Sequence, residues 1–389
     1  PISNWVLQCS VVVFVISLFS VPYNSAIIAH EKMTAFAYMT IFDAVTRLMI
    51  IGGVYFYQGD KLILFALMLM GQTFFRQSIY WIYCRRKFKE CTYHWGIDKN
   101  LTKSMFSFAG WSFIGCTAGV MKDQGVNIAI NLFTEPAVNA ARGIAIQVDS
   151  VIGNFTRGFM TAINPQIIKS YAAGDLQKMH KQIFQGTRLS YYLYMFFAIP
   201  IFFEIERVLR IWLGQVPEHT ILFMRLSLIL TQLDILSNML ITAQTATGNI
   251  RNYQIVVGGI LFLNLPISYL LLKNGYFPEI TFVVAIVISM VGFIARLLFL
   301  RSMINLSIMA FIKGVFLNVL IVTLASSVLP AIYVFLIEPS FIRLVITGLL
   351  SSISSIGVIY FVGCNHIERK KISNYLLYKI NNSLKIRHA

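Results

Sequence analysis

Between Thr134 and Asp175 the chain is long enough to cross a bilayer as a helix, yet it carries Arg142, Asp149, Asn154 and Arg157. At about 100° per residue, Asn139, Arg142, Asp149, Arg157 and Asn164 fall on one stripe roughly 80° wide. An ionised side chain at the bilayer centre costs at least about 2.5 to 3.5 kcal/mol, so the stripe has to face a bundle interior or an aqueous cavity. A guanidinium there offers a planar fork of donors suited to the oxygens of a phosphate. Arg142 and Arg157 lie about two turns to either side of Asp149, so the carboxylate can engage at most one of them and leaves the other for an anion. A fixed arginine and aspartate lock is the alternative.

Other polar groups sit at comparable depth. Asp123, Gln124, Asn127 and Asn131 lie within about 100° of arc on their helix, with Lys122 off that face. This run reads either as cavity lining or as amides joining helices. Asp43 and Arg47 have the i,i+4 spacing at which a carboxylate and a guanidinium meet on one helix, and Arg76 lies on the next span. Arg225 and Arg296 are expected to reach toward an interface along their apolar stems. Within the spans Arg47, Arg76, Lys122, Arg142, Arg157, Arg225 and Arg296 outnumber Asp43, Asp123, Asp149 and Asp234. That surplus favours an anionic cargo, whereas a cation exporter would hold surplus carboxylate.

The elements that position these residues are membrane spans. Only 12% of residues are charged, 57% are hydrophobic and the mean hydropathy is +0.71. Those values exclude a single soluble core and point to an all-α polytopic membrane protein. Stretches of about 20 apolar residues fall at 5–29, 33–57, 61–84, 104–133, 136–165, 182–204, 219–246, 251–273, 279–300, 311–337 and 341–363, which makes about eleven transmembrane helices. The net charge of +16 is spread over the loops, so it reads as membrane topology and not as nucleic-acid binding. One set of alternate loops, with the tail from His366, holds twenty Lys and Arg, the other five, which places the loop near 85–103 and the C-terminus in the cytoplasm. The tail interleaves Ile372, Leu376, Ile380 and Leu384 with basic residues and reads either as an interfacial helix or as a plain anchor.

An offset of 217 residues superimposes the first three spans on the seventh, eighth and ninth without gaps, pairing Ser20 with Ser237, Ala26 with Ala243 and Ala29 with Ala246. An even number of spans separates the copies, so the repeat is parallel. On this reading three helices that should precede residue 1 are missing. The five cysteines form no even framework, and Cys84, Cys91 and His94 lack a fourth zinc ligand at a usual spacing. There is no phosphate-binding G-x-x-x-x-G-K-[ST] loop, no G-x-S-x-G elbow and no H-E-x-x-H pair. The loops also lack the paired carboxylates of a metal-dependent sugar transferase.

Three strings carry a resemblance: NAARGIA (139–145), NPQIIKSYAAGD (164–175) and MFSFAGW (105–111). With them the chain resembles bacterial polysaccharide flippases, the O-antigen and capsule exporters of the multidrug/oligosaccharidyl-lipid/polysaccharide superfamily. The resemblance implies a two-lobe fold: 1–103 as the end of the first lobe with the inter-lobe loop, 104–303 as a six-helix second lobe, 304–365 as two extra helices, and 366–389 as a basic tail. It implies a transporter, not an enzyme, that carries an undecaprenyl-diphosphate-linked oligosaccharide across a bacterial inner membrane by alternating access. No cofactor is expected, with proton or sodium coupling left open. The partners implied are the lipid-linked oligosaccharide, membrane lipids and, among proteins, a polysaccharide polymerase and other assembly components, with no nucleic acid. Arg142 takes the phosphate-facing role from its place in NAARGIA; helical spacing and membrane depth, not the resemblance, add Arg157, Asp149, Asn154, Lys122, Asn127, Asn131, Arg76, Asp43 and Arg47 to the site. A cation antiporter of the same superfamily is the nearest alternative, and a membrane glycosyl polymerase or ligase the next.

Overall fold

The computed structural model describes residues 2–92, 96, 98–365, 368–370 and 373–374. It is an all-α polytopic membrane protein, with helix and no strand among the described residues. Nine helices among them are long and apolar enough to cross a membrane. Two further long helices, over 136–172 and 176–213, stand where the fifth and sixth spans are expected and are not among those nine. Helical hydrogen bonding runs past the charges at which apolar windows stop. The fourth span therefore begins at Lys99 instead of 104, the fifth extends past Lys169, and the sixth takes in Lys178, Lys181, Arg207 and Arg210. His94 and most of the tail from His366 lie outside the described residues.

The chain divides into two units, Pro1–Lys99 and Asn100–Ala389. The first contains α1 (Ile2–Ala29), α2 (Met33–Phe56) and α3 (Lys61–Lys87). Asp60 caps α3, its carboxylate accepting from the amides of Leu62 and Ile63 and filling donors that a helix start leaves open. Both α1 and α2 pack on α3, and Ile27, Met39, Cys84 and Phe88 form a small core. The expected Asp43–Arg47 pair is not formed. Asp43 is held from the next helix by Arg76 at 2.8 Å, and Gln72 spans the same helices to Thr46 Oγ1 at 2.6 Å.

The second unit begins with α4 (Lys99–Val120), which passes through a single π-helical turn at Met121–Gly125 into α5 (Val126–Phe133). Pro136, whose missing N–H costs nothing in a first turn, starts α6 (Pro136–Ala172). Then come α7 (Leu176–Leu213), α8 (Thr220–Ala246), α9 (Arg251–Phe262), α10 (Asn264–Lys273) and α11 (Ile280–Ile304). The main core joins α6, α7, α8 and α11 through residues such as Ile167, Ile183, Met195, Met239 and Leu300. The break between α9 and α10 falls at Leu263, three residues before Pro266, which has no N–H for the carbonyl of Phe262. It lies against the π turn: Asn264 Nδ2 donates to the carbonyl of Lys122 at 3.2 Å, and a Cβ on Gly125 would come within 2.9 Å of Leu265.

The short α12 (Ile308–Phe311) leads through a π turn at Ile312–Phe316 into α13 (Leu317–Leu336), followed by α14 (Phe341–Val358) and a π turn at Ile359–Gly363. Both α13 and α14 lie on α7. Where they meet, α7 leaves helical geometry at Glu204 (φ −107°, ψ 22°), a buried carboxylate. Arg343 of α14 grips it with two nitrogens, at 2.8 and 3.0 Å, and Thr347 donates to it at 3.0 Å. Nη1 of Arg343 also donates to the carbonyl of Ile337, which closes the loop between α13 and α14. At the other end Glu368 accepts from Arg188 at 2.6 Å and from Gln185 at 2.9 Å.

Helix ends recur at the 217-residue offset. Ala29, Phe56 and Lys87 end α1, α2 and α3; Ala246, Lys273 and Ile304 end α8, α10 and α11, each 217 positions on. The packing recurs as well, with α1 against α3 matched by α8 against α11.

Candidate functional site

The polar stripe of α6 opens into two cavities within the second unit. The larger, about 620 Å³, is walled by the π turn and α5 (Lys122, Asp123, Gln124, Asn127), by α6 (Asn139, Arg142, Asp149), and by α8, α10 and α11. The smaller, about 460 Å³, lies between α6 and α8 and contains Arg157 and Asn164. Thr231 and Asp234 of α8 border both.

Arg142 is 5% exposed. Its Nη1 donates to Asn127 Oδ1, its guanidinium lies 5.4 Å from the ring centre of Phe282, and its Nε has no partner. No carboxylate is paired with it among the described residues. A buried guanidinium whose only hydrogen bond is to one neutral amide retains unused donors that an anion could fill.

Asp149 engages neither arginine of its stripe. Its oxygens accept from Tyr194 of α7 and from Thr231 Oγ1 of α8, the latter at 2.8 Å. Lys122, off the polar face of its own helix, donates to Asp234 Oδ2 at 3.2 Å and to Ser289 Oγ at 3.1 Å, tying the π turn to α8 and α11. Arg157 turns back along α6, its Nη2 donating to Asn154 Oδ1 at 2.7 Å and to the carbonyl of Ser150 at 3.1 Å.

The structure sorts the expected site residues. Lys122, Asn127, Arg142 and Asp149 meet in the larger cavity, and Arg157 stands alone in the smaller one. Fifteen residues of helix, about 22 Å at 1.5 Å per residue, separate Arg142 from Arg157, so they do not grip one diphosphate together. Asn154 supports Arg157 and lines neither cavity, and Asn131 is exposed outside both. Asp43 and Arg76 form their ion pair within the first unit, where Arg47 has no ion pair among the described residues.

The expected surplus of positive charge does not hold locally. The larger cavity contains Lys122 and Arg142 against Asp123, Asp149 and Asp234. The spare arginines are elsewhere. Arg225 is exposed over Phe202, and Arg296, expected at an interface, is buried with hydrogen bonds to Tyr253 at 3.0 Å and Ser237 at 3.2 Å. The residues that sequence reasoning left out of the site are those of α8: Thr231, Asp234, Asn238 and Thr242. Their spacing of three, four and four puts them on one face of the helix, a signal present in the sequence. Tyr194 and Ser289 carry no such signal.

No protein-family model, curated protein or solved structure matches the chain.

Proposed function

We propose that this protein is a transporter of the polysaccharide-flippase type, carrying a lipid-linked sugar diphosphate across a bacterial inner membrane. The observation that carries the reading is Arg142: a buried guanidinium at the wall of a 620 Å³ cavity, paired with no carboxylate among the described residues. The recurrence of helix ends at 217 residues supports two lobes of parallel construction, with α13 and α14 as the additional pair. In this reading α6 and α7 also cross the membrane, with Arg142, Asp149 and Arg157 of α6 turned into the cavities. The cytoplasmic side is that of the loop near 85–103 and the C-terminus. With single cysteines in a cysteine-free background, a reagent confined to the outside of the cell should label position 59 or 276 and spare position 92; labelling at 92 reverses the orientation.

A cation antiporter is the second reading, favoured by the three carboxylates of the larger cavity. In a flippase those carboxylates would serve a coupling proton or sodium ion instead. The two readings separate on ligand. The purified protein in detergent should be stabilised by an undecaprenyl-diphosphate oligosaccharide, by about 2.7 kcal/mol at a hundredfold excess over Kd. A rise in thermal midpoint with tetraphenylphosphonium, and none with the diphosphate lipid, would favour the antiporter and overturn the flippase.

A further inference from the structure

The smaller cavity differs in chemistry from the larger. Its polar wall is built of hydroxyls and amides: Thr156, Thr161 and Asn164 from α6, and Thr231, Asn238 and Thr242 from α8. Several are open to a ligand. Thr156 Oγ1 is buried without a partner, the Asn238 side chain makes no hydrogen bond among the described residues, and Asn164 accepts from Thr242 at 3.0 Å while its Nδ2 remains available. One carboxylate, Asp234, borders the cavity, and Lys122 holds it from the far side. Arg157 has no carboxylate partner among the described residues, and both of its hydrogen bonds use Nη2, so Nη1 and Nε are left to donate. Gly153 makes room for it: a Cβ there would lie 3.1 Å from Nη1.

Hydroxyls and amides around a partly exposed guanidinium with unused donors match a ligand with many hydroxyls and a single negative group. We infer that the smaller cavity is a saccharide subsite for an acidic sugar, with Arg157 holding the sugar carboxylate and the Thr and Asn side chains its hydroxyls. The inference rests on the transport reading for the origin of its ligand, a residue of the lipid-linked glycan. It assigns the two arginines different anions, the diphosphate to Arg142 and the sugar acid to Arg157, consistent with the helix length between them.

The test uses the full chain with its native cysteines replaced by serine and one reporter, Ile241→Cys, on the apolar part of the cavity wall. Methanethiosulfonates bearing a sulfonate or a trimethylammonium group are compared. The ratio of anionic to cationic labelling rates should fall about tenfold when Arg157→Gln is added, and Arg157→Lys should largely keep it. Glucuronate should slow labelling in the Arg157 protein, while glucose and inorganic phosphate should not. Protection by phosphate equal to that by glucuronate would reveal a simple anion site and overturn the assignment. So would protection that survives Arg157→Gln, or no protection by any of the three. A matched thermal midpoint for each variant shows that the fold is intact. Stabilisation by the diphosphate lipid is measured separately, so failure of the transport reading leaves glucuronate protection standing and can be told from failure of the subsite.

Discussion

Leucine in place of Arg343 should destabilise the protein by about 3 to 5 kcal/mol, the cost of leaving a buried charge without its partner. Glu204 is almost wholly enclosed at the irregular point of α7, and Arg343 supplies both of the guanidinium bonds it accepts; Thr347 alone cannot neutralise it. The loss should be local in its first effect. Hydrogen exchange should accelerate across α13 and α14 before the core around Met195 and Met239 opens, because Arg343 also closes the loop between those two helices. Replacing both partners, Glu204→Leu with Arg343→Leu, should restore most of the stability, since an apolar pair of similar volume avoids the desolvation cost. Equal thermal midpoints for the single and double variants would show that the ion pair is not what fastens the hairpin.

The second large effect is on binding. Arg142→Ala should weaken the diphosphate lipid by about 1.5 to 3 kcal/mol, roughly ten- to 150-fold in Kd, the range for hydrogen bonds to a charged group. Arg142→Lys should keep part of the affinity, because a point charge still attracts the anion although the fork is lost. Asp149→Asn should be mild, since Tyr194 and Thr231, not an arginine, are its partners. For the same reason the charge-swapped pair Arg142→Asp with Asp149→Arg should stay inactive. Titration of the purified variants with the lipid, at matched fold, decides all three; a swapped pair that binds like the parent would restore the arginine and aspartate lock.

Much of the architecture is legible in the sequence because it follows from solvation. A run of about 20 apolar residues between charged loops specifies a helix in lipid, and every such stretch is helical here. The α6 stripe is legible for the same reason, since polar groups at 3.6-residue spacing must share a face. What the sequence hides is pairing between helices. Lys122 and Asp234 lie 112 positions apart, and Asp149 and Thr231 lie 82 apart. Local spacing instead offers Asp43 to Arg47 and Asp149 to the arginines of its own helix, and packing takes both carboxylates elsewhere. Arg296 misleads in another way: its stem suits an interface, but Tyr253 and Ser237 meet its donors inside the bundle. Net charge misleads through averaging, because a surplus counted over the whole chain says nothing about which arginines share a cavity.

The π turn of Met121–Gly125 and the break at Leu263 have a mechanical consequence. Each interrupts a membrane helix where backbone hydrogen bonds are already rearranged, so each bends at lower cost than the regular helix on either side. They face one another, joined by Asn264 and interlocked where Leu265 fits over Gly125. Tilting α5 therefore carries α10 with it, and the pair moves as one elbow. Lys122 sits in that joint with its ammonium anchored on Asp234, so the angle of the elbow and the wall between the two cavities are set by the same residue.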